Sequence, residues 1–465
     1  EVSLLLPVLR LPDVMLRLSF IVIALSLLAT TDAVAQQQGP AQATNAPPPS
    51  ITLEEAIAMA RANEPTFAAA SGNARIAALD HSIAQAALLP NATFHNQYLY
   101  TQPNGLFSAT APRGAQAAPI FIANNSVHEY MSQAVVNETL GLPQAIAVSR
   151  TAAAAAVASA ELEIVRRGLA SAVTGLFYQE LTADHRIAVA RRADAEAASL
   201  TQLTQQRESA REGAHADVVK AQLQQQQRDR DLAQTLLEAQ KSRLDLAVLL
   251  FPDPRAPYTL SPGPVAPLPD RADVDAVAMR LSPERRQALA ALRVNSLQVA
   301  AARAAYLPDL ALNFTYGIDA PQFAANGYFF EGQRLRNLGY SASATLDLPL
   351  WDWFSTQHRV RQSEILRDVA HTALTATQRR LVAQLDEFYA EATTAHDQLQ
   401  SLDQSVQTAT KSLRLTRLRY SAGEATVLEV VDAQNSLTAA EMAREDGTIR
   451  YQLALTNLRL LTGAI

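Results

Sequence analysis

Ala87-Leu88-Leu89-Pro90-Asn91-Ala92-Thr93-Phe94-His95-Asn96-Gln97-Tyr98 returns later in the chain as Ala305-Tyr306-Leu307-Pro308-Asp309-Leu310-Ala311-Leu312-Asn313-Phe314-Thr315-Tyr316. Pro90 to Pro308 is an offset of 218, and the same offset carries Pro65 to Pro283. Farther on, Asp217-Val218-Val219-Lys220-Ala221-Gln222 matches Glu429-Val430-Val431-Asp432-Ala433-Gln434 at an offset of 212. Two matches in the same order mark a tandem duplication of a unit of roughly 215 residues, and a repeat of that kind has to be read before any fold is assigned. The units are 51–251 and 273–465, joined by a proline-rich linker at 252–272.

After each proline of the repeated motif, side chains alternate. Phe94, Tyr98 and Tyr100 share one parity, with Thr93, His95 and Gln97 on the other; Leu310, Leu312, Phe314 and Tyr316 alternate with Asp309, Ala311, Asn313 and Thr315. Residues 340–348 set Tyr340, Ala342, Ala344, Leu346 and Leu348 against Ser341, Ser343, Thr345 and Asp347, and 128–136 follows more weakly. Strands of about ten residues, apolar on one face and aromatic near their ends, suit an outer-membrane barrel. A half-buried sheet of a soluble protein gives the same alternation. Four strands cannot close a barrel, and lipid tolerates no open edge, so the membrane alternative requires several copies. The segments 101–126 and 319–337 are expected as extracellular loops.

Proline placement predicts the helices. None of the 23 prolines lies in 144–251 or 350–465, and a proline inside a helix costs about 3 kcal/mol. Gly213 and Gly423 divide these stretches into hairpins. The first arm of the second hairpin carries a seam spaced alternately by four and three: Leu381, Leu385, Phe388, Ala392, Ala395, Leu399, Leu402, Val406, Ala409, Leu413, Thr416 and Tyr420. That spacing predicts a left-handed coiled coil. Residues 352–422 as one helix would reach about 105 Å. The return arm, with the helix between Pro283 and Pro308, nearly equals that length, so each repeat pairs one long helix with two shorter ones end on end. Thr52-Leu53-Glu54-Glu55 reads as a capping box.

From Met15, Arg17 precedes an apolar run that ends at Ala33-Val34-Ala35, the pattern of a secretory signal cut after Ala35. Translation is read as starting at Met15, residues 1–35 as signal peptide and 36–50, with Pro47-Pro48-Pro49, as a disordered leader. Charged residues are 18% and hydrophobic ones 48%, with mean hydropathy of −0.02. No later stretch approaches the ~18 consecutive apolar residues of a membrane helix, which excludes a polytopic helical protein. A net charge of −6 gives no reason to expect nucleic acid. The absence of cysteine excludes disulfides, thiolate metal sites and an acylated cysteine.

The chain resembles the TolC-like outer-membrane efflux proteins over 50–465. The resemblance is carried by Ile51-Thr52-Leu53-Glu54-Glu55-Ala56-Ile57 with Asn63-Glu64-Pro65, by Arg419-Tyr420-Ser421-Ala422-Gly423, by Leu428-Glu429-Val430-Val431-Asp432-Ala433-Gln434, and by Pro349-Leu350-Trp351-Asp352. It implies a mixed α and β membrane protein: a homotrimer whose four strands per chain make one twelve-stranded barrel in outer-membrane lipid, continued by a periplasmic α-helical barrel. It also implies a passive exit duct served by a periplasmic adaptor protein and an inner-membrane transporter of the RND or ABC type, in efflux or type I secretion. At the tip, it implies a closure contact between Tyr420 and Asp217 and an acidic aperture ring of Glu429 and Asp432. Tyr420 read by heptad position alone is the last seam residue, and the two acids read alone complement the positive end of their helix. Three departures stand out. Gly141-Leu142-Pro143-Gln144 lacks the aromatic-acidic pair of the second junction, the first hairpin turn reads as two residues shorter than the second, and Ala425 replaces a basic latch residue.

No nucleophile elbow, phosphate-binding loop or His-Glu-x-x-His is present, and the eight histidines lack metal-ligand spacing. No cofactor and no enzymatic activity are expected. Arg414, Arg417 and Arg419 suit either an acidic partner or a solvated face. A surface coiled-coil adhesin or scaffold is the competing function, which ion conductance would separate from a duct.

Overall fold

The computed structural model describes residues 49–100, 128–263, 266–320, 323–328 and 334–463. The signal peptide and most of the leader lie outside these residues, as does the whole of the loop 101–126. Pro49 and Ser50, expected to end a disordered leader, are instead held: strand β1 (Ser50–Ile51) pairs in parallel with β4 (Thr259–Leu260) from the linker.

Helix α1 (Leu53–Asn63) opens with the expected box, in which Glu55 N–H donates to Thr52 Oγ1 at 3.3 Å and Thr52 N–H to Glu55 Oε2 at 2.9 Å. Pro65 then starts α2 (Pro65–Ala86) at a first-turn position, where its missing N–H costs nothing. Strands β2 (Asn91–Tyr100) and β3 (His128–Leu140) lead to α3 (Leu142–Ser209), a helix of 68 residues and about 100 Å, and α4 (His215–Leu250) returns beside it. The second repeat runs α5 (Arg271–Leu281), α6 (Pro283–Ala304), β5 (Asp309–Ala320), β6 (Asn326–Tyr328), β7 (Arg334–Arg336), β8 (Leu338–Asp347), α7 (Ser355–Ser421) and α8 (Val427–Thr462). The hairpin β6–β7 lies within the expected loop 319–337. Its short strands carry too little alternation to be read from sequence.

As the length argument requires, α3 packs along α4 and α2, and α7 along α8 and α6. Helix α6 also packs on α3 and so joins the repeats. Every residue of the α7 seam is buried or half-buried. Among the described residues, only α3 contains a window apolar enough to cross a membrane by composition. That window reflects a run of alanines on a long helix that packs against α2, α4 and α6.

Helix α7 starts three residues later than expected. Trp353 and Phe354 hold positive φ of 55° and 65°, a left-handed conformation costly for bulky residues. Asp352 then accepts from Thr356 N–H at 2.7 Å and caps the first turn. In the first repeat Gly141 alone separates β3 from α3. The second repeat uses 348–354 for the same junction, and Leu350, Trp351 and Trp353 stand in solvent.

The four long strands form one antiparallel sheet in the order β2-β3-β5-β8. Its register places Phe94, Ala134, Tyr316 and Tyr340 in one row across the sheet and Ala92, Val136, Phe314 and Ala342 in the row two residues away. Asn91, Asn137, Asn313 and Ser343 line up on the opposite parity. The apolar face is uncovered: Phe94 is 69% exposed and Tyr340 77%. Both outer strands, β2 and β8, have one free edge.

Helices α1 and α5 occupy equivalent places. Ala56, Ile57 and Ala60 of α1 pack with Val173, Phe177, Leu246 and Leu250, while Val274 and Ala278 of α5 pack with Leu381, Leu385 and Leu458. The linker is tied to the first core by Tyr258, whose hydroxyl lies 2.6 Å from Glu180 Oε2 and 2.8 Å from the carbonyl of Arg243. Burial pushes the Glu180 carboxyl above its ordinary range, against the opposing bond from Tyr258.

Tyr258→Phe should cost about 1–3 kcal/mol, because a buried acid loses its hydrogen-bond partner; denaturant unfolding measures it. The raised pKa also sets a sign. Glu180 contributes stability that is full below the unfolded carboxylate pKa and lost as pH rises through its folded value. Glu180→Gln should flatten that part of the pH dependence of unfolding.

Candidate functional site: the hairpin tips

Both hairpins turn at the same end of the helices, with the same construction. Ala210 and Ala422 end α3 and α7, and the next residue is left-handed in each case: Arg211 at φ 58° and Gly423 at φ 81°. Glu212 N–H donates to the Arg207 carbonyl at 2.8 Å, and Glu424 N–H to the Arg419 carbonyl at 2.8 Å. Five residues separate the helices in each turn, 210–214 and 422–426. The turns are therefore equal in length, and the expected difference of two residues is corrected. It arose from matching Gly213 with Gly423, whereas the structural counterpart of Gly423 is Arg211. Gly213 has no positive φ among the described residues; its Cα lies against Arg207, where an added Cβ would come to 3.3 Å from the Arg207 Cβ.

The return helices start differently. Ala214 offers no side-chain cap to α4. Thr426 and Glu429 form a capping box on α8, with Glu429 N–H donating to Thr426 Oγ1 at 3.3 Å and Thr426 N–H to Glu429 Oε1 at 3.1 Å. The Thr426 backbone bond holds the exposed Glu429 carboxyl below its usual range, and Arg419 lies 3.4 Å from its other oxygen. Asp432, one turn on, is exposed and has no side-chain partner among the described residues. The structure thus brings Glu429 and Asp432 to one end of α8 but gives Glu429 a capping role as well.

Tyr420 is 5% exposed in a cluster with Leu200, Leu413, Val427 and Val430. Its neighbour from the first hairpin is Arg207, whose guanidinium lies 4.9 Å from the ring centroid and donates to the Tyr420 carbonyl at 2.5 Å. No hydrogen bond links Tyr420 to Asp217 within the chain. Asp217 acts on the phenol only through its charge, which helps burial raise the pKa while Arg207 opposes it. Within one chain Tyr420 therefore meets Arg207. Arg207 lies within the first repeat but outside the two matched stretches that reveal it; its one signal in the sequence is its place 212 residues before Arg419. No group of three potential metal ligands occurs among the described residues.

A sheet with an apolar outer face, set on long paired helices that turn together at the far end, defines the class of outer-membrane channels with a periplasmic helical part. A family model described as outer membrane efflux protein matches residues 277–464. Protein CyaE of Bordetella pertussis is 27% identical over 383 residues, covering 77% of this chain and 75% of that protein. Outer membrane protein OprJ of Pseudomonas aeruginosa is 28% identical over 167 residues, covering 36% of this chain and 34% of OprJ. The open state of the Neisseria gonorrhoeae MtrE outer membrane channel shares the fold with a TM-score of 0.73 at 18% identity, over 88% of each chain. The match to the outer membrane efflux protein family thus covers the second repeat, and the fold over 88% of the chain is that of an outer membrane channel.

Arg207→Ala removes a charge-assisted hydrogen bond, about 1.5–3 kcal/mol, and a cation–π contact of about 0.5–1 kcal/mol. Amide hydrogen exchange across 419–426 should accelerate by about tenfold or more, a factor that corresponds to about 1.4 kcal/mol. Exchange in the sheet should stay unchanged.

Proposed function

We propose that the chain is one protomer of a trimeric exit duct in the bacterial outer membrane, conducting cargo passively from the periplasm to the exterior. A periplasmic adaptor and an inner-membrane transporter of the RND or ABC type supply the energy and the cargo. The observation that carries this reading is the sheet: four strands, one uncovered apolar face and two free edges. Lipid rewards that face but penalises unpaired edge N–H and C=O groups by several kcal/mol each. Joining β8 of one copy to β2 of the next removes every edge, and three copies give a barrel above the lower size limit of about eight strands. A soluble scaffold or adhesin would have to cover Phe94, Tyr98, Phe314 and Tyr340, and nothing among the described residues does so.

The same reading takes 1–35 as the removed signal, 36–50 as leader, and 51–251 and 273–465 as the two repeats joined through 252–272. Nothing in it calls for catalysis or a cofactor. The aperture lies at the tips, ringed by Glu429 and Asp432 from each of three chains. Converging carboxylates select and bind cations as charged rings do in other pores. Since Glu429 is partly committed to its cap and to Arg419, Asp432 carries more of the free charge.

In planar bilayers the purified trimer should conduct, with a cation preference reduced more by Asp432→Ala than by Glu429→Ala and block by divalent cations weakened most in the double variant. Absence of conductance would overturn the duct, and selectivity unchanged in the double variant would place the aperture elsewhere.

A further inference from the structure

The two repeats can be matched position by position, at an offset of 212 along α3 and α7 to their caps at Ala210 and Ala422, and of 218 along α1–α2 and α5–α6. One place on this map differs in charge. In the first repeat Glu163 of α3 is gripped by two arginines. Arg166 donates from Nε at 2.6 Å and from Nη2 at 2.7 Å, one bond to each carboxylate oxygen, and Arg167 donates from Nε at 2.8 Å. The bond from Arg166 holds the Glu163 carboxyl down at about 2, against the opposing effect of burial. Arg167 is satisfied further by the carbonyls of Leu460 and Leu461, and Phe67 of α2 packs against the first core.

The second repeat lacks the acid. The counterpart of Glu163 is Thr375, whose hydroxyl turns back to the His371 carbonyl at 3.1 Å. Arg379 stands in the place of Arg167, Arg285 in that of Phe67, and Arg280 in that of Ala62. Arg280 closes α5, Arg285 opens α6 and Arg379 lies on α7, and the three line one groove of about 720 Å³ with Thr375 and Gln378. No acidic side chain lines it. Among the described residues none of the three arginines forms an ion pair, and their guanidinium groups make a single hydrogen bond, from Arg285 Nη1 to the Met279 carbonyl at 3.2 Å. Asp275 and Asp386 are drawn to Arg271 instead, and Glu284 accepts from the Ser282 hydroxyl at 2.7 Å.

Three like charges brought together from three helices repel one another, and an anion seated between them would relieve that repulsion. We propose that this groove binds a small multivalent oxyanion, a polycarboxylate or a polyphosphate, which Arg280, Arg285 and Arg379 hold as Glu163 is held in the first repeat. Guanidinium forks match carboxylate and phosphate oxygens alike. The volume falls within the range of about 300–1,000 Å³ usual for small-molecule sites. Position decides against a lipid headgroup. Arg379 lies 24 residues into α7 from Ser355, about 36 Å along the helix. On the duct reading above, on which this step rests, that depth is well inside the periplasm. A bound anion ties the end of α5 and the start of α6 to α7, and so fixes the joint where the two short helices meet.

Calorimetric titration of the purified full chain at low salt, with citrate and with pyrophosphate as probes, should show one site per chain for at least one of them. Arg280→Gln and Arg379→Gln should each weaken binding by about tenfold or more, as loss of a charge-assisted hydrogen bond does. Thr375→Glu restores the carboxylate of the first repeat, one turn before Arg379 on the same face. It should abolish binding and raise the melting temperature of the ligand-free protein, a pair of effects that misfolding cannot imitate. In the parent, bound probe should slow amide exchange at 279–286 and 375–382. Binding of citrate alone identifies carboxylate as the preferred group, and binding of pyrophosphate alone identifies phosphate. Binding of neither overturns the proposal, as does binding that survives Thr375→Glu unchanged, or capture of a poly-glutamate peptide when neither small probe binds. A parent that binds its probe but conducts no ions refutes the duct and leaves the site standing. A conducting trimer that binds neither probe refutes the site alone.

Discussion

An unpaired backbone group in hydrocarbon is the constraint on which this structure depends. The sheet β2-β3-β5-β8 offers lipid an apolar face and at the same time two edges that lipid cannot accommodate. The fold is therefore incomplete as a single chain, and its remaining features follow from how that incompleteness is resolved. On the assembly proposed above, the strands join those of other copies, the helices that continue from them converge in register, and the long arms α3 and α7 nearly match the summed lengths of their shorter partners.

The duplication makes such closure economical, since two copies of one unit within a chain halve the number of distinct contacts a ring needs. It is not kept uniformly. The offset is 218 through α2, α6 and the strands that follow them, and 212 at the hairpin turns. It falls to 207 between the ends of β3 and β8, so residues are lost in the connection between the strands, and it rises again to 213 where strand hands over to helix. Gly141 alone makes the first junction, whereas residues 348–354 make the second, with two left-handed aromatic residues and an aspartate cap. At the tips the backbone is equivalent but the side chains are not. Thr426 and Glu429 cap α8 while Ala214 leaves α4 uncapped, and Tyr420 packs on Arg207 whereas Glu208, at the matching place in the first hairpin, pairs with His215.

Much of this was legible in residue patterns because local rules decide it. Proline-free stretches, the four-three spacing from Leu381 to Tyr420 and the alternation after Pro90 and Pro308 report helix and strand periods, which any packing has to respect. The acids at 429 and 432 were legible by the same logic, one turn apart near the start of a helix. The turns were misread because Gly213 attracted the assignment. Left-handed backbone favours glycine but does not require it, and in the first turn Arg211 takes the conformation.

By itself, then, the sequence determined element types, their lengths, the duplication and the apolar face of the sheet, all of which follow from periodicity and the cost of proline. Only the tertiary structure decided that Pro49 and Ser50 join the linker strand, that Tyr258 reaches Glu180, and that Arg207 rather than Asp217 meets Tyr420. These are contacts between residues tens to hundreds of positions apart. No local period encodes them; they exist because two hairpins of equal length, packed side by side, bring their ends to the same place.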